Sequence, residues 1–488
     1  MTRKPLRRLA LLSAALLAAA FAVGSASSGT PKPGFSSPQY VDTVLAGGEP
    51  LIMANPLHGT LVYSSHEGTT HLYRDGLTSS PFGDFQFVAN YCNQVNIWTS
   101  SDNGVTWQRD SYLNSPCPTS PAINTGFSDP DLTNDASGRI YDTGIDLVND
   151  ALFSSGDGGK TFDEGTPQCH DGDRPWLAGG KANEVFMATD TVENSQSHQM
   201  YQSTDGGRTC SSTGVPDVGT TSNGNSYTGD GKLYSDSTHN RIAEPEVFND
   251  ANGNFLGVGV GTWTRGASSF SPHFVAATSL YSHWPAIAID ASNTIYLVWD
   301  TDARTPNTAG GCNGGLTPAP NAVMMSYSTN FGGSWSKPIK VAAPSSSRVY
   351  WPWVAAGDAG KVSVVWYQTG PGQLADLDCQ SADTYVYEAS FVNGNTPRSV
   401  ELGPVNASGR VIHYGQVCQG GTTCVATGQD RRLGDYFTNA LDARGCVLIA
   451  SGDTMMVDPL TGAQLPTARP VFMHQNAGPA LVGKGSCS

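Results

Sequence analysis

Seven positions in this sequence share one setting. A charged or aromatic residue stands just before a proline, and ten residues after the proline a β-rich stretch begins. In chain order the positions are Glu49, Asp129, Arg174, Glu244, Trp284, Trp351 and Asp435; the spacing is one residue longer in the first copy, and in the last Tyr436 replaces the proline. One residue earlier stand Asp173, His283 and Tyr350. One residue after the proline stand Asp131, Trp176, Glu246 and Trp353. Acids, an arginine, a histidine and indoles gathered at one place make the composition of a carbohydrate site: polar groups take hydroxyls, flat rings take C–H faces. Hydrolysis of a glycosidic bond uses two carboxylates, one protonated and one ionised, and crowded acids raise one another's pKa. Asp129, Glu244 and Asp435 are the candidate catalytic carboxylates. Glu49, Asp131, Asp173, Arg174, Trp176, Glu246, His283, Trp284 and Trp351 are candidate substrate contacts. The competing use of the same acids is a bound Ca²⁺; no other cofactor is expected and no metal ligand set is assigned.

Such residues need a scaffold that repeats. Pro130 pairs with Ile140, Pro175 with Val185, Pro245 with Phe255, Pro285 with Ile295, Pro352 with Val362 and Pro50 with Leu61, with a turn signal such as Asp290-Ala291-Ser292-Asn293 between. Two strands and a turn fit that length, and a proline that opens a strand removes no ladder hydrogen bond. Each copy reads as the two inner strands of a propeller blade. Seven copies predict an all-β propeller of seven four-stranded antiparallel blades, with six as the alternative if the first or last copy is only a closing strand. The residues before each proline then ring the mouth of a central funnel. Loops between second and third strands open on the same face, among them Ser65–His71, Asp300–Arg304 and Gln429–Arg432. His66, Glu67 and His71 do not make a zincin motif, because the second histidine comes one residue late.

Four octets run beside this pattern: Ser100-x-Asp102-x-Gly104-x-Thr106-Trp107, Ser155-x-Asp157-x-Gly159-x-Thr161-Phe162, Ser203-x-Asp205-x-Gly207-x-Thr209-Cys210 and the degenerate Ser328-x-Asn330-x-Gly332-x-Ser334-Trp335. The chemistry is that of a turn, an Asp capping amides and a Gly taking positive φ. The octets resemble the Asp-box, or bacterial neuraminidase repeat, of the sialidase-like superfamily. That resemblance spans nearly the whole chain as architecture and is specific only in the octets. It implies hairpins on the side of each blade away from the active site. It also implies a cluster of arginines for a substrate carboxylate, a Tyr nucleophile activated by a Glu, and an Asp acid/base. Arg174, Arg241, Arg431 and Arg432 are the candidates for the arginines, and Tyr436, beside Glu244 or Glu246, for the nucleophile. The family's early Arg-Ile-Pro is missing; Arg241-Ile242-Ala243 is the nearest string.

Arg3, Lys4, Arg7 and Arg8 precede an apolar run from Leu9 to Val23 and a small-residue site at Gly24-Ser25-Ala26, the form of a secretory leader over residues 1–26. Residues 27–488 then make a single propeller domain, exported and not inserted in a membrane. The formal net charge is −15. The leader holds four basic residues and no acid, so the remainder is more acidic still, which argues against nucleic acid as partner. Ten cysteines in an exported chain predict disulfides. Sequence neighbours suggest Cys92–Cys117, Cys169–Cys210, Cys312–Cys379, Cys418–Cys424 and Cys446–Cys487. The functional expectation is an exported, monomeric, sialidase-like glycoside hydrolase acting on a glycan at the funnel. The alternative is a non-catalytic propeller that binds glycan or protein. The excess of acids at the mouth favours a neutral glycan.

Overall fold

The computed structural model describes residues 31–55, 57–73, 94–110, 126–145, 149–170, 172–191, 194–306 and 316–488. The proposed leader and the Cys92–Cys117 pair lie outside them. The chain folds as a β-propeller of seven antiparallel blades, and the one helix among the described residues is a single turn, Thr423–Ala426. The innermost strands of blades 1 to 7 are Leu51–Asn55, Ser128–Asn134, Gly172–Gly179, Tyr234–Ser235, Ala286–Ile289, Val349–Ala356 and Thr438–Leu441. Each packs beside the next, and the last packs beside the first. Seven blades, not six, close the ring. Blade 7 takes its second and third strands from Val447–Asp453 and Arg469–Ala477, and its outer edge from Gly34–Phe35 and Gln39–Tyr40 at the other end of the chain.

The turn between first and second strands has a fixed chemistry. Asp135 Oδ1 accepts from the amides of Ser137 and Arg139 at 2.8 and 3.1 Å, and Oδ2 accepts from the Tyr141 hydroxyl at 3.0 Å. Asp290 repeats this with Ser292, Thr294 and Tyr296. Such side-chain bonds let a short turn replace ladder pairing. The four octets join third to fourth strands, at the face opposite the inner-strand starts. In each, the serine oxygen accepts from the glycine amide at 2.8–2.9 Å. The Asp or Asn oxygen accepts from the Thr or Ser amide at 2.8–3.0 Å. The octet of blade 2 docks on blade 1 through Thr60 Oγ1, which donates to the Gly158 carbonyl at 2.8 Å.

Blade 4 departs from the expected register. Ser226–Gly229 and Tyr234–Ser235 together pair with Arg241–Asn249 as the inner strand, so Pro245 lies within the second strand. The cause is a second turn of the same chemistry. Asp250 Oδ1 accepts from the amides of Asn252 and Asn254 at 2.8 and 2.9 Å, between strands two and three, much as Asp236 Oδ1 does from Thr238 and Asn240 between strands one and two. Counting ten back from Arg241 reaches Gly231, which makes Asp230 the rim residue of this blade in place of Glu244.

Three of the expected disulfides are present: Cys169–Cys210, Cys418–Cys424 and Cys446–Cys487. Cys379 is also disulfide-bonded. Such bonds persist in oxidising compartments and are consistent with an extracellular protein. No helix among the described residues is long and apolar enough to cross a membrane.

Candidate active site at the propeller mouth

Four rim residues share a backbone device. Glu49, Asp129, Arg174 and Trp351, each just before its proline, have φ of 49°, 50°, 57° and 49°. A non-glycine residue in this left-handed region is strained, and such strain gathers at functional positions. In blades 2, 3 and 6 the strand register shifts at this point, the mark of a bulge. A bulge re-aims a side chain out of the alternating pattern of its strand.

Below the rim the channel is plugged by aromatics. Tyr436 packs on Trp176 and Trp353 at 5.3 and 5.8 Å between centroids, and Trp176 meets Trp284 at 5.9 Å edge to face. Trp176, Trp353 and Tyr436 are buried. The Tyr436 hydroxyl donates to the Pro130 carbonyl at 2.7 Å, and burial, with Glu49 and Asp129 nearby, pushes its pKa well above the ordinary range. That phenol is a structural donor in the channel floor and lacks the activation a nucleophile needs.

Above the plug opens a cavity of about 410 Å³ lined by His71, Asp129, Asp173, Arg174, Arg431 and Asp435, with Thr70, Ser128, Ile145, Gly420, Gly421 and Thr422 completing the wall. Arg431 forms a two-pronged ion pair with Asp435, with Nη2–Oδ2 at 2.5 Å, and lies 3.9 Å from Glu49. His283 Nε2 approaches Asp435 at 3.4 Å and its ring stacks on Trp284. Arg174 sits over the Trp284 ring at 4.9 Å and 3.8 Å from Asp190. Glu49 Oε1 meets His71 Nε2 at 2.8 Å, while Glu49 Oε2 is buried without a partner. Gly434, with φ of 78°, makes room for this: a Cβ there would stand 2.2 Å from the Glu49 side chain.

These neighbours pull the acids apart in pKa. Burial, then Asp435, pushes Glu49 up to about 8. Burial, then Glu49 and Asp173, pushes Asp129 well above the carboxylate range; its one side-chain donor among the described residues is the Ser128 hydroxyl. Burial raises Asp435 too, yet Arg431 and His283 overcome it and hold that carboxyl well below its ordinary value. Asp230 rises to about 6, chiefly by burial, against the pull of Arg174. Asp129, shifted up, and Asp435, shifted down, thus face one cavity, the pairing of environments from which an acid and a charge stabiliser are made. His66 and His71 are pushed well down, first by burial, and so stay neutral. With Glu49 they bring three donors within 4.8 Å. However, His66 Nδ1 accepts from the Gly68 amide at 2.6 Å and Nε2 faces Thr70 Oγ1 at 3.1 Å, so both its nitrogens are engaged.

The expected site residues therefore divide. Glu49, Asp129, Asp173, Arg174, His283, Trp284, Arg431 and Asp435 meet at the mouth. Trp351 lies nearby, buried against Tyr350 and Tyr367. Trp176 and Tyr436 are floor. Asp131 is buried behind the rim, paired with Lys232 at 2.6 Å and accepting from the Leu177 amide. Arg241 is at the opposite face, held by Asp236 at 2.8 Å and stacked 3.9 Å over Phe331 of the fourth octet. Arg432, next to Arg431, turns away and is locked to Asp430 at 2.6 Å. Glu244 and Glu246 are sealed in the second strand of blade 4, with no exposure. Asp230, Asp190 and His71 were not among the expected site residues. The count of ten back from Arg241 would have found Asp230.

No protein-family model matches the chain, and no curated protein does. Among solved structures it is similar to a protein of unknown function from Dyadobacter fermentans, at 11% identity and TM-score 0.44, over 92% of this chain and 100% of that one. It is similar to an ulvan lyase bound to -[GlcA(1-4)Rha3S]-, at 12% identity and TM-score 0.43, over 94% and 97%. It is similar to a Trypanosoma rangeli sialidase, at 10% identity and TM-score 0.37, over 91% of this chain and 58% of that one. No site residue is carried over from these likenesses.

Proposed function

We propose that this chain is an exported carbohydrate-active protein, one propeller domain behind a cleaved leader, that hydrolyses a glycosidic bond at the mouth of its funnel. The observation that carries the reading is the pair Asp129 and Asp435, raised and lowered in pKa and lining the same cavity. Asp129 is the general acid that protonates the leaving oxygen. Asp435, held ionised by Arg431 and His283, faces the positive charge that develops on the sugar ring. Arg174 and Trp284 hold hydroxyls and a ring face. The sialidase form of the chemistry has less support here, because the Tyr436 hydroxyl is engaged with Pro130 and two of the four candidate arginines lie away from the mouth. A neutral glycan suits a mouth whose arginines are already paired with acids.

Binding without turnover is the second reading. The two-pronged Arg431–Asp435 pair favours it, since a carboxylate so engaged is less available to substrate. A panel of chromogenic glycosides and a glycan array, run on the wild type, Asp129→Asn and Asp435→Asn, separate the two. Turnover abolished in both variants with glycan still bound supports hydrolysis. Binding with no turnover in the wild type supports the second reading. Variants equal to wild type in both assays refute the site.

A further inference from the structure

A second group of buried charge lies off the mouth, between blades 3 and 4. His198 is on the third strand of blade 3, Asp217 on the link that leaves that blade, and Glu244 and Glu246 on the second strand of blade 4. The two glutamates are two residues apart, so they share one face of their strand. His198 is 2% exposed and the three acids 0%. His198 Nδ1 lies 2.6 Å from Asp217 Oδ2. Asp217 Oδ1 and both oxygens of Glu244 are buried without a hydrogen-bond partner; Glu246 lies beside them, next to the His273 backbone. No lysine or arginine among the described residues is paired with these acids.

The backbone is bare where the carboxylates point. A Cβ on Gly261 would meet Glu246 Oε1 at 2.5 Å and Glu244 Oε1 at 3.2 Å, and one on Gly229 would meet the Glu244 carboxyl at 2.9 Å. Both glutamates therefore press toward one point, kept clear by glycines on the strands to either side. Asp217 has the His198 imidazole for a partner, whereas no cation among the described residues is paired with Glu244 or Glu246, and buried charge persists when it is paired or coordinates a metal. The donor atoms of His198, Asp217 and Glu244 all lie within 4.8 Å of one another, a span that bonds of about 2.0–2.2 Å to a central ion close with small side-chain shifts.

We propose that His198, Asp217 and Glu244, with Glu246 beside them, bind a divalent first-row transition-metal ion of the zinc or manganese kind that ties blade 3 to blade 4. The nitrogen donor selects this class over Ca²⁺, which takes oxygen alone. The ion takes the place of the proton between His198 and Asp217 and neutralises two of the three carboxylates. It also steadies the rim, because the Asp230 amide donates to the carbonyl of Pro245, the residue between the two glutamates, at 2.9 Å. The proposal does not rest on glycan hydrolysis.

Metal analysis of wild-type protein, loaded with Zn²⁺ or Mn²⁺ and dialysed into metal-free buffer, tests it. About one ion per chain is expected, with retention at least about tenfold lower in Glu244→Gln, as loss of a ligand predicts. Chelation lowers the Tm, and Zn²⁺ or Mn²⁺ restores it where Ca²⁺ does not. Asp129→Asn retains the ion in full, which separates this site from the mouth. Should Glu244→Gln fail to fold, His198→Gln and chelation of the wild type decide. Metal-free protein after loading, equal retention in Glu244→Gln, or rescue by Ca²⁺ alone each overturns the proposal.

Discussion

Asp157 and Asp129 belong to the same blade and stand at opposite faces. Asp157 accepts from the amides of Lys160 and Thr161 at 3.1 and 3.0 Å and from the Thr161 hydroxyl at 2.6 Å. Its pKa falls although partial burial pushes it up. Asp129 has one hydroxyl donor among the described residues, three acids for neighbours, and a raised pKa. The octet supplies its acid with donors from its own turn, so the acid stabilises the bend and is complete without a ligand. The mouth draws its acids from separate blades and leaves Asp129 and Glu49 short of donors, while Arg431 and His283 hold Asp435. A carboxyl that the fold does not satisfy is one that substrate or a proton can engage.

The largest effect that sharpens this contrast is on turnover. Asp129→Asn keeps the shape of the side chain and removes its proton chemistry, and the rate on a cleavable glycoside falls about 10²–10⁴-fold. An unchanged rate would remove Asp129 from the mechanism. The next effect is on stability. Arg431→Gln leaves Asp435 with His283 alone, and breaking a buried pair of this kind costs about 3–5 kcal/mol, measured by denaturant unfolding. A change below about 1 kcal/mol, the surface-pair value, would show a solvated mouth.

A third prediction concerns pH, where the two faces differ in sign. Glu49 is raised from 4.5 to about 8 in the fold. Between those values the unfolded chain is ionised while the folded one keeps its proton. The stability Glu49 gives is therefore full below about pH 4.5 and is lost as pH rises through about 8. Octet acids act oppositely. Asp102, lowered to about 2 chiefly by the Thr106 hydroxyl, gives stability above its ordinary pKa that fades as pH falls toward 2. Melting curves of Glu49→Gln should flatten the decline above pH 4.5 and leave the acid limb alone; an altered acid limb would contradict the assignment. The smallest effect is that of Asp157→Ala, about 1 kcal/mol as for other lost side-chain caps, with glycan affinity unchanged. A change in affinity would break the division between faces.

The same contrast explains what was legible in the sequence. Turn chemistry is local, so the octets and the seven-fold spacing could be read from neighbouring residues, and three cysteine pairs from the order of cysteines along the chain. Blade 4 misled because Asp250–Asn254 uses the same local code as Asp236–Asn240 one strand later, and Gly231 replaces the marker proline. Arg431 and Arg432 differ by one position, and only tertiary packing sends one to Asp435 and the other to Asp430. The meeting of His71 with Glu49 and the outer edge of blade 7 join distant segments through short pieces that carry no periodic signal.

That outer edge sets the order in which the protein can be assembled. Residues 34–40 leave the ribosome long before their partner strand Arg469–Ala477 is made. Six blades can pair internally as they emerge, but the circle stays unclasped, with an open β-edge, until residues 34–40 meet Arg469–Ala477. Contacts of such sequence separation make folding slow, and an open edge in the meantime invites association with other chains. A chain stopped after blade 6, or one with residues 34–40 displaced by a bulky fusion, keeps the rim residues of six blades and loses the closure that holds them in a circle.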